Sequence, residues 1–198
     1  MVERVARRVP GEKIWWWPNV LTYGRIAAVP VLAALILSQS NFARWLALAV
    51  YVVAAVTDFL DGYLARIWQQ QSALGRMLDP IADKVLVSVA LLALAADGVL
   101  KGGHLWAAFI ITAREVLVSG LREFLGELRV SVPVTQIAKW KTTVQLVAIG
   151  FLIAGPAGDA FIPSTQIGLF MLWVAAALTL YTGYDYFRAG LRHVVDEE

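Results

Sequence analysis

Four aspartates, Asp58, Asp61, Asp79 and Asp83, lie close together between two long apolar runs. The members of each pair, Asp58 with Asp61 and Asp79 with Asp83, are three or four residues apart, so on a helix they share a face. A carboxylate inside a membrane costs about 2.5–3.5 kcal/mol on insertion scales. Four carboxylates in an apolar frame therefore need cations.

The spacing favours a metal site that acts on phosphate groups. If the two helices that carry the pairs run antiparallel through a short connection, the pairs face each other. Carboxylate oxygens suit Mg²⁺ or Mn²⁺, and two such ions about 3.5–4 Å apart form the clamp used in displacements at phosphorus. Gly62 and Gly75 leave backbone open to a bulky anionic ligand, and Arg66, one turn past Gly62, would meet the same phosphates.

Structural roles for single aspartates remain open. Asp79-Pro80 is a plausible helix start, with Asp79 as the N-cap and Pro80 at the first helical position. Asp58 or Asp61 alone would be balanced by an ion pair with Arg66 or Arg76. Neither role explains four carboxylates together in an apolar frame.

The composition is that of an integral membrane protein. The chain is 59% hydrophobic and 16% charged, with a mean hydropathy of +0.66, whereas soluble domains carry about 25% charged residues. The absence of cysteine excludes disulfides, thiolate chemistry and Cys-ligated zinc. His104 and His193 are far apart in the sequence and make a poor metal site.

The hydropathy pattern predicts an all-α protein with six transmembrane helices. Each apolar run has roughly the 20 residues that a bilayer requires. The predicted spans are residues 20–38, 43–66, 77–97, 104–123, 138–155 and 164–184, and a polar connection is predicted at 67–76. We expect one domain, residues 19–198, preceded by a juxtamembrane interfacial segment at residues 1–18.

The N-terminal segment combines cationic residues with Trp15, Trp16 and Trp17, as interfacial segments do. A disordered basic tail is the alternative. Asn19 is a candidate cap for the first span, and Arg25 near its start could extend to the membrane interface.

Charge predicts the orientation. If both termini and the connections 2–3 and 4–5 share one side, every Lys and Arg except Arg44 and Lys101 falls there. The positive-inside rule makes that side cytoplasmic. We therefore expect both termini in the cytoplasm, the protein in the cell (inner) membrane, and the aspartates at its cytoplasmic face.

The pattern Asp58-x2-Asp61-Gly62-x2-Ala65-Arg66-x8-Gly75-x3-Asp79-x3-Asp83 resembles the signature of the CDP-alcohol phosphotransferases, at every fixed position and spacing. The resemblance implies a six-span enzyme with two metal ions at the cytoplasmic face. Such an enzyme transfers a substituted phosphoryl group from a CDP-linked donor to an alcohol and releases CMP.

The resemblance also implies roles for individual residues. Asp58, Asp61, Asp79 and Asp83 would hold the two Mg²⁺ or Mn²⁺ ions, and Asp83 would also be the general base. The residues that would border the CDP moiety are Gly62, Ala65, Arg66 and Gly75, together with Asn19, Thr22 and Arg25 from the motif Pro18-Asn19-x-Leu21-Thr22-x2-Arg25.

Further stretches indicate the acceptor. Pro80 and Lys84 in the segment 78–84, together with Arg114-Glu115-x4-Gly120-Leu121-Arg122 and Lys139-x-Lys141-Thr142, resemble bacterial members that join CDP-diacylglycerol to glycerol 3-phosphate. Independently, the cations predicted at the cytoplasmic ends of spans four and five suit a dianionic phosphate; they are Arg114, Arg122, Lys139 and Lys141. Positive-inside topology alone is the other explanation. Lys139 and Lys141 diverge on a straight helix, so at most one faces inward.

The implied reaction is attack by the primary hydroxyl of glycerol 3-phosphate, deprotonated by Asp83, on the β-phosphorus of CDP-diacylglycerol. We expect contact with membrane lipids, a homodimer as is usual in the family, and no nucleic-acid partner. A cardiolipin synthase of the CDP-alcohol type and a phosphatidylinositol-phosphate synthase are the enzyme alternatives. A cation transporter is the alternative from another class, although its acidic residues should lie near mid-membrane on several helices.

Overall fold

The computed structural model describes residues 17–68, 73–127 and 136–195, with the backbone alone at 17–20, 59–68, 73–76, 79, 127, 136–139, 189 and 191–195. These residues form six α-helices and a short 3₁₀ turn, and they contain no strand. The helices are α1 (Trp17–Leu37), α2 (Asn41–Trp68), α3 (Ala73–Ala96), α4 (Leu105–Glu127), α5 (Gln136–Gly158) and α6 (Ser164–Val195), and the turn is Gly102–His104. Residues 1–16 of the interfacial segment predicted at residues 1–18 lie outside the described residues, so its interfacial role stays a prediction, and residues 17 and 18 begin α1.

Four helices contain stretches that are long and apolar enough to cross a membrane: Asn41–Asp58, Gly102–Gly126, Trp140–Gly158 and Ser164–Arg188. The apolar part of α1, Leu21–Leu37, is shorter. α3 differs from these four helices in its charge, because every stretch of 18 residues in it includes Asp79, Asp83 and Lys84. The helices are those of an all-α membrane protein.

The first helix packs against both acidic helices. α1 contacts both α2 and α3, α5 packs against α6 and α2, and α4 packs against α6. The shared core is aliphatic, and its fully buried members include Leu32, Ile36, Leu94, Ile149, Leu152 and Leu172. Because α1 lies against both acidic helices, its Arg25 reaches a carboxylate on each of them.

The contact between α5 and α6 depends on a glycine. A Cβ added at Gly168 of α6 would lie 2.8 Å from Cγ of Leu152 and 3.0 Å from the Leu152 backbone nitrogen. Only a residue without a side chain allows this approach, as is common where membrane helices pack closely.

A buried ion pair joins the N-terminal end of α2 to the C-terminal end of α3, at the ends of these helices that are remote from the aspartates. The side chains of Arg44 and Asp97 form it, and they are only 5% and 1% exposed. Arg44 also lies 3.4 Å from the carbonyl oxygen of Ile153, close to the point where Gly155 (φ 40°) interrupts the backbone geometry of α5. The pair lies about four helical turns, on the order of 20 Å, from the aspartate site.

The structure corrects several local predictions. α3 begins at Ala73, so the prediction that Asp79-Pro80 starts a helix is wrong, and Pro80 lies inside α3. Residues 67–68 and 73–76 of the predicted connection are helical. The helix also resumes after Gly155 and continues to Gly158.

Candidate active site

Arg25 of α1 joins the two acidic helices. Its Nη1 lies 2.6 Å from Oδ1 of Asp58 on α2, and it donates a hydrogen bond of 2.8 Å to Oδ1 of Asp83 on α3. The Arg25 side chain is 1% exposed, whereas the two carboxylates are 41% and 48% exposed. Because both contacts share Nη1 of Arg25, the Oδ1 atoms of Asp58 and Asp83 lie no farther apart than the sum of 2.6 Å and 2.8 Å. Arg25 is therefore buried between the two acidic helices, and its extension to the membrane interface stays a prediction.

The arrangement of Asp58 and Asp83 fits a divalent cation, because these two half-exposed carboxylates already share one cationic nitrogen. Carboxylate oxygens are the donors that Mg²⁺ and Mn²⁺ prefer, and the approach of Asp58 to Asp83 shows that both donors reach the same space. Among the side chains that the structure describes, no three His, Cys, Asp or Glu residues converge as a metal site.

Several predicted site residues are placed only by their helix. Their side chains lie outside the described set: Asn19 in α1, Asp61, Gly62, Ala65 and Arg66 in α2, Gly75 and Asp79 in α3, and Lys139 in α5. Their predicted roles therefore stay predictions. Thr22 is described and is 1% exposed, and it lies on the same face of α1 as Arg25.

A cavity of about 480 Å³ connects the carboxylates to the basic cluster. Asp58 and Asp83 line it from α2 and α3, and Arg114, Arg122 and Lys141 line it from α4 and α5. The structure thus brings together the described members of the groups that the sequence assigned to the metal ions and to the acceptor phosphate.

Glu115 balances two of these cations. Its Oε1 contacts Nζ of Lys141, which is 4% exposed, and lies 3.5 Å from Nη1 of Arg114. A buried ammonium group is stable only when it is paired or hydrogen-bonded. Glu115 therefore holds Lys141 of α5 and Arg114 of α4 beside each other at the cavity wall.

The sixth helix makes room for Arg114. Its Nη2 donates a hydrogen bond of 3.1 Å to Oγ1 of Thr182. A Cβ added at Gly183 would lie only 3.0 Å from Cγ of Arg114. Arg122 is exposed, and its guanidinium carbon lies 5.6 Å from the centre of the Tyr186 ring.

Sequence reasoning missed Arg25 as the partner of Asp58 and Asp83, and it missed the contributions of Glu115, Thr182 and Gly183. Glu115 stands directly beside Arg114 in the sequence, and an acid within a basic cluster was an available signal. No comparable signal marks Thr182 and Gly183, because they lie in an apolar helix far along the chain.

The family model for CDP-alcohol phosphatidyltransferase matches residues 15–181. The chain belongs to the CDP-alcohol phosphatidyltransferase family. Similar proteins named CDP-diacylglycerol–glycerol-3-phosphate 3-phosphatidyltransferase occur in several bacteria. The protein of Cereibacter sphaeroides is 41% identical, covering 93% of this chain and 99% of the relative. The protein of Rickettsia bellii is 45% identical over 87% of this chain and 93% of the relative, and that of Pseudomonas fluorescens is 38% identical over 89% and 91%.

Membership of the CDP-alcohol phosphatidyltransferase family makes the chain a transferase, as its motif indicated. The family generally uses divalent metal ions, in agreement with the paired carboxylates of Asp58 and Asp83. The matched region ends inside α6 at residue 181, directly before Thr182, which contacts Arg114.

Proposed function

We propose that the protein transfers the phosphatidyl group of CDP-diacylglycerol to glycerol 3-phosphate and produces phosphatidylglycerophosphate and CMP. The observation that carries this proposal is the cavity in which Asp58 and Asp83 share a space with Arg114, Arg122 and Lys141. The carboxylates suit a metal-bound diphosphate, and the cations suit the phosphate of a small acceptor. The names of the similar proteins support the same pair of substrates.

Two divalent ions, Mg²⁺ or Mn²⁺, would be held by Asp58, Asp61, Asp79 and Asp83. When bound, such ions neutralise the diphosphate and make CMP a better leaving group. Arg25 would orient Asp58 and Asp83, because ligating carboxylates are usually held by further hydrogen bonds. Asn19, Thr22, Gly62, Ala65, Arg66 and Gly75 would border the CDP moiety with Arg25.

Asp83 would act as the general base. It accepts the proton of the primary hydroxyl of glycerol 3-phosphate, and the resulting oxygen nucleophile forms a bond to the β-phosphorus of CDP-diacylglycerol. The bond between that phosphorus and the oxygen of CMP breaks, and CMP leaves with the electron pair. Arg114, Arg122, Lys141 and Lys139 would hold the acceptor phosphate, so that the hydroxyl is aligned with the leaving group.

The lipid part of the donor would lie along the outside of α2 and α5. An apolar groove of about 650 Å³ between these helices shares Ala55 and Leu146 with the cavity. An acyl chain in this groove would remain continuous with a headgroup at the carboxylates, and this supports placing the donor there.

The proposed arrangement in the membrane has six spans, with residues 1–18 at the interface and both termini in the cytoplasm. The active site then faces the cytoplasm of the cell (inner) membrane, where glycerol 3-phosphate is dissolved. The asymmetric distribution of Lys and Arg supports this orientation. A homodimer is proposed from the family resemblance.

Release of CMP by the purified protein tests the proposed function. The protein is supplied with CDP-diacylglycerol and Mg²⁺, together with glycerol 3-phosphate, phosphatidylglycerol or inositol phosphate. We expect CMP release that saturates with glycerol 3-phosphate. Release that depends on phosphatidylglycerol would instead identify a cardiolipin synthase, and release that depends on inositol phosphate would identify a phosphatidylinositol-phosphate synthase.

A further inference from the structure

Among the described residues, four cations line the cavity of about 480 Å³, and they differ in how their charge is balanced. Lys141 and Arg114 both contact Glu115, and Arg122 lies against the ring of Tyr186. The ammonium group of Lys84 contacts the neutral hydroxyl of Ser119 on α4. Within the described part of the chain, Lys84 therefore has no carboxylate to balance its charge.

Lys84 also lies at the wall that two adjoining cavities share. It lines the cavity of about 480 Å³ and an adjoining one of about 370 Å³, and Arg114, Glu115 and Arg122 line both as well. It directly follows Asp83 in α3. An ammonium group at such a wall, with no counter-ion among the described side chains, is a strong binding partner for a phosphate group.

We propose that Lys84, held by Ser119, is a direct ligand of the acceptor phosphate and determines specificity for a phosphorylated acceptor. This inference rests on the proposed function. It adds a residue of α3 to a pocket otherwise built from α4 and α5. Ser119 is a positioning residue, because it fixes the ammonium group of Lys84 without contacting the acceptor.

The geometry links this role to the reaction. Lys84 and Asp83 line the same cavity, so a phosphate at Lys84 stays near Asp83. Glycerol 3-phosphate is a three-carbon molecule with its phosphate at one end and its primary hydroxyl at the other. Binding of the phosphate by Lys84 would therefore keep the hydroxyl within reach of the Asp83 carboxylate.

Steady-state kinetics of Lys84→Met, Lys84→Arg and Ser119→Ala test the proposal, with Lys101→Met as the matched control. Lys101 is exposed in the connection between α3 and α4. In Lys84→Met we expect the KM for glycerol 3-phosphate to rise by about tenfold or more, the loss typical of one charge-assisted hydrogen bond. The KM for CDP-diacylglycerol and the Mg²⁺ concentration for half-maximal activity should stay unchanged.

The two other variants separate charge from position. Lys84→Arg keeps the charge and should recover most of the affinity for glycerol 3-phosphate, whereas Ser119→Ala should raise that KM by about threefold, a small loss typical of a misplaced ligand. If Lys84→Met does not fold, Lys84→Gln replaces it in the same assay. Lys101→Met should match the wild type in every constant.

An unchanged KM for glycerol 3-phosphate in the Lys84 variants, with an active wild type, would overturn the inference alone. A raised requirement for Mg²⁺ or CDP-diacylglycerol without a change for the acceptor would also overturn it, because Lys84 would then act on the donor site. A wild type that releases no CMP with glycerol 3-phosphate would instead contradict the proposed function.

Discussion

The guanidinium of Arg25 donates a 2.8 Å hydrogen bond to Asp83, although the two residues are on different helices and far apart in the sequence. The same nitrogen lies 2.6 Å from Asp58. The side chain of Arg25 is buried, while both carboxylates are about half exposed. One guanidinium from α1 thus holds the acidic ends of α2 and α3 together.

Replacement of Arg25 should make the fold depend on metal. In Arg25→Met, Asp58 and Asp83 lose their shared cation and repel each other, so the Tm of the metal-free protein should fall by several degrees, as expected for about 1–2 kcal/mol. Added Mg²⁺ should recover part of this loss. Thermal unfolding with EDTA and with Mg²⁺ measures both effects. The Tm of Arg25→Lys should lie between those of the wild type and Arg25→Met. An equal loss with and without Mg²⁺ would contradict this prediction.

Asp83→Asn should abolish most of the activity. An amide cannot accept the proton of the attacking hydroxyl, and removal of a general base typically lowers kcat by about 10²–10⁴. Rates of CMP release measure the effect. Asp185→Asn is the control for the change of Asp to Asn, because Asp185 is exposed on α6 outside the cavity. Full activity in Asp83→Asn would remove the base assignment.

Gly183→Ala should weaken acceptor binding through Arg114. The new Cβ would lie 3.0 Å from Cγ and 3.3 Å from Nε of Arg114, so the arginine must shift by a few tenths of an ångström. We expect the KM for glycerol 3-phosphate to rise roughly threefold and the KM for CDP-diacylglycerol to stay constant. Gly126→Ala, where a Cβ would meet nothing within 4 Å, should leave both constants unchanged. Equal effects of the two substitutions would show that Arg114 is not displaced.

The pair of Arg44 and Asp97 should contribute to stability and not to catalysis. Both side chains are nearly inaccessible to solvent, so removing one leaves the other as an unbalanced buried charge, at a cost of about 3–5 kcal/mol. Arg44→Met and Asp97→Leu should each lower stability strongly, and the double variant should be more stable than the sum of the two losses predicts. Unfolding in detergent measures this coupling, and additive losses would contradict it.

Periodicity and charge predicted the parts of the fold that depend on local sequence. The apolar runs indicated each of the six described helices. The antiparallel arrangement predicted for the two acidic pairs indicated that Asp58 and Asp83 share a site. The position of α1 against both acidic helices could not be predicted, because it depends on tertiary packing of aliphatic residues such as Leu32 and Ile36. The role of Arg25 follows from that packing.

The helix start predicted at Asp79-Pro80 was wrong for a related reason. Proline at a first helical position is common, but α3 extends back to Ala73 despite Pro80 in its interior. Charge correctly drew attention to the basic cluster. It could not show that Glu115 holds Lys141, since this contact joins α4 to α5 across a long connection.

The connection between α5 and α6 should make the protein less stable at acidic pH. Asp159 accepts a hydrogen bond of 2.8 Å from the backbone N–H of Thr165 and one of 2.6 Å from its hydroxyl, which lowers the pKa of this exposed carboxyl below its ordinary value. Because the folded-state pKa is lowered, the stabilisation is complete above the ordinary pKa of about 3.9. It is lost as the pH falls through the folded-state value.

Asp159→Ala should therefore lower stability at pH 7 by about 0.5–1 kcal/mol, a small effect because the group is exposed to solvent. The difference from the wild type should shrink as the pH falls through the lowered folded-state pKa of Asp159, because the wild-type carboxylate then becomes protonated and neutral. Thermal unfolding of the two proteins between pH 3 and pH 7 measures this convergence. Thr165→Val, which removes only the hydroxyl donor, should lose part of the stabilisation. A constant difference across the whole range would show that Asp159 does not act through its charged form.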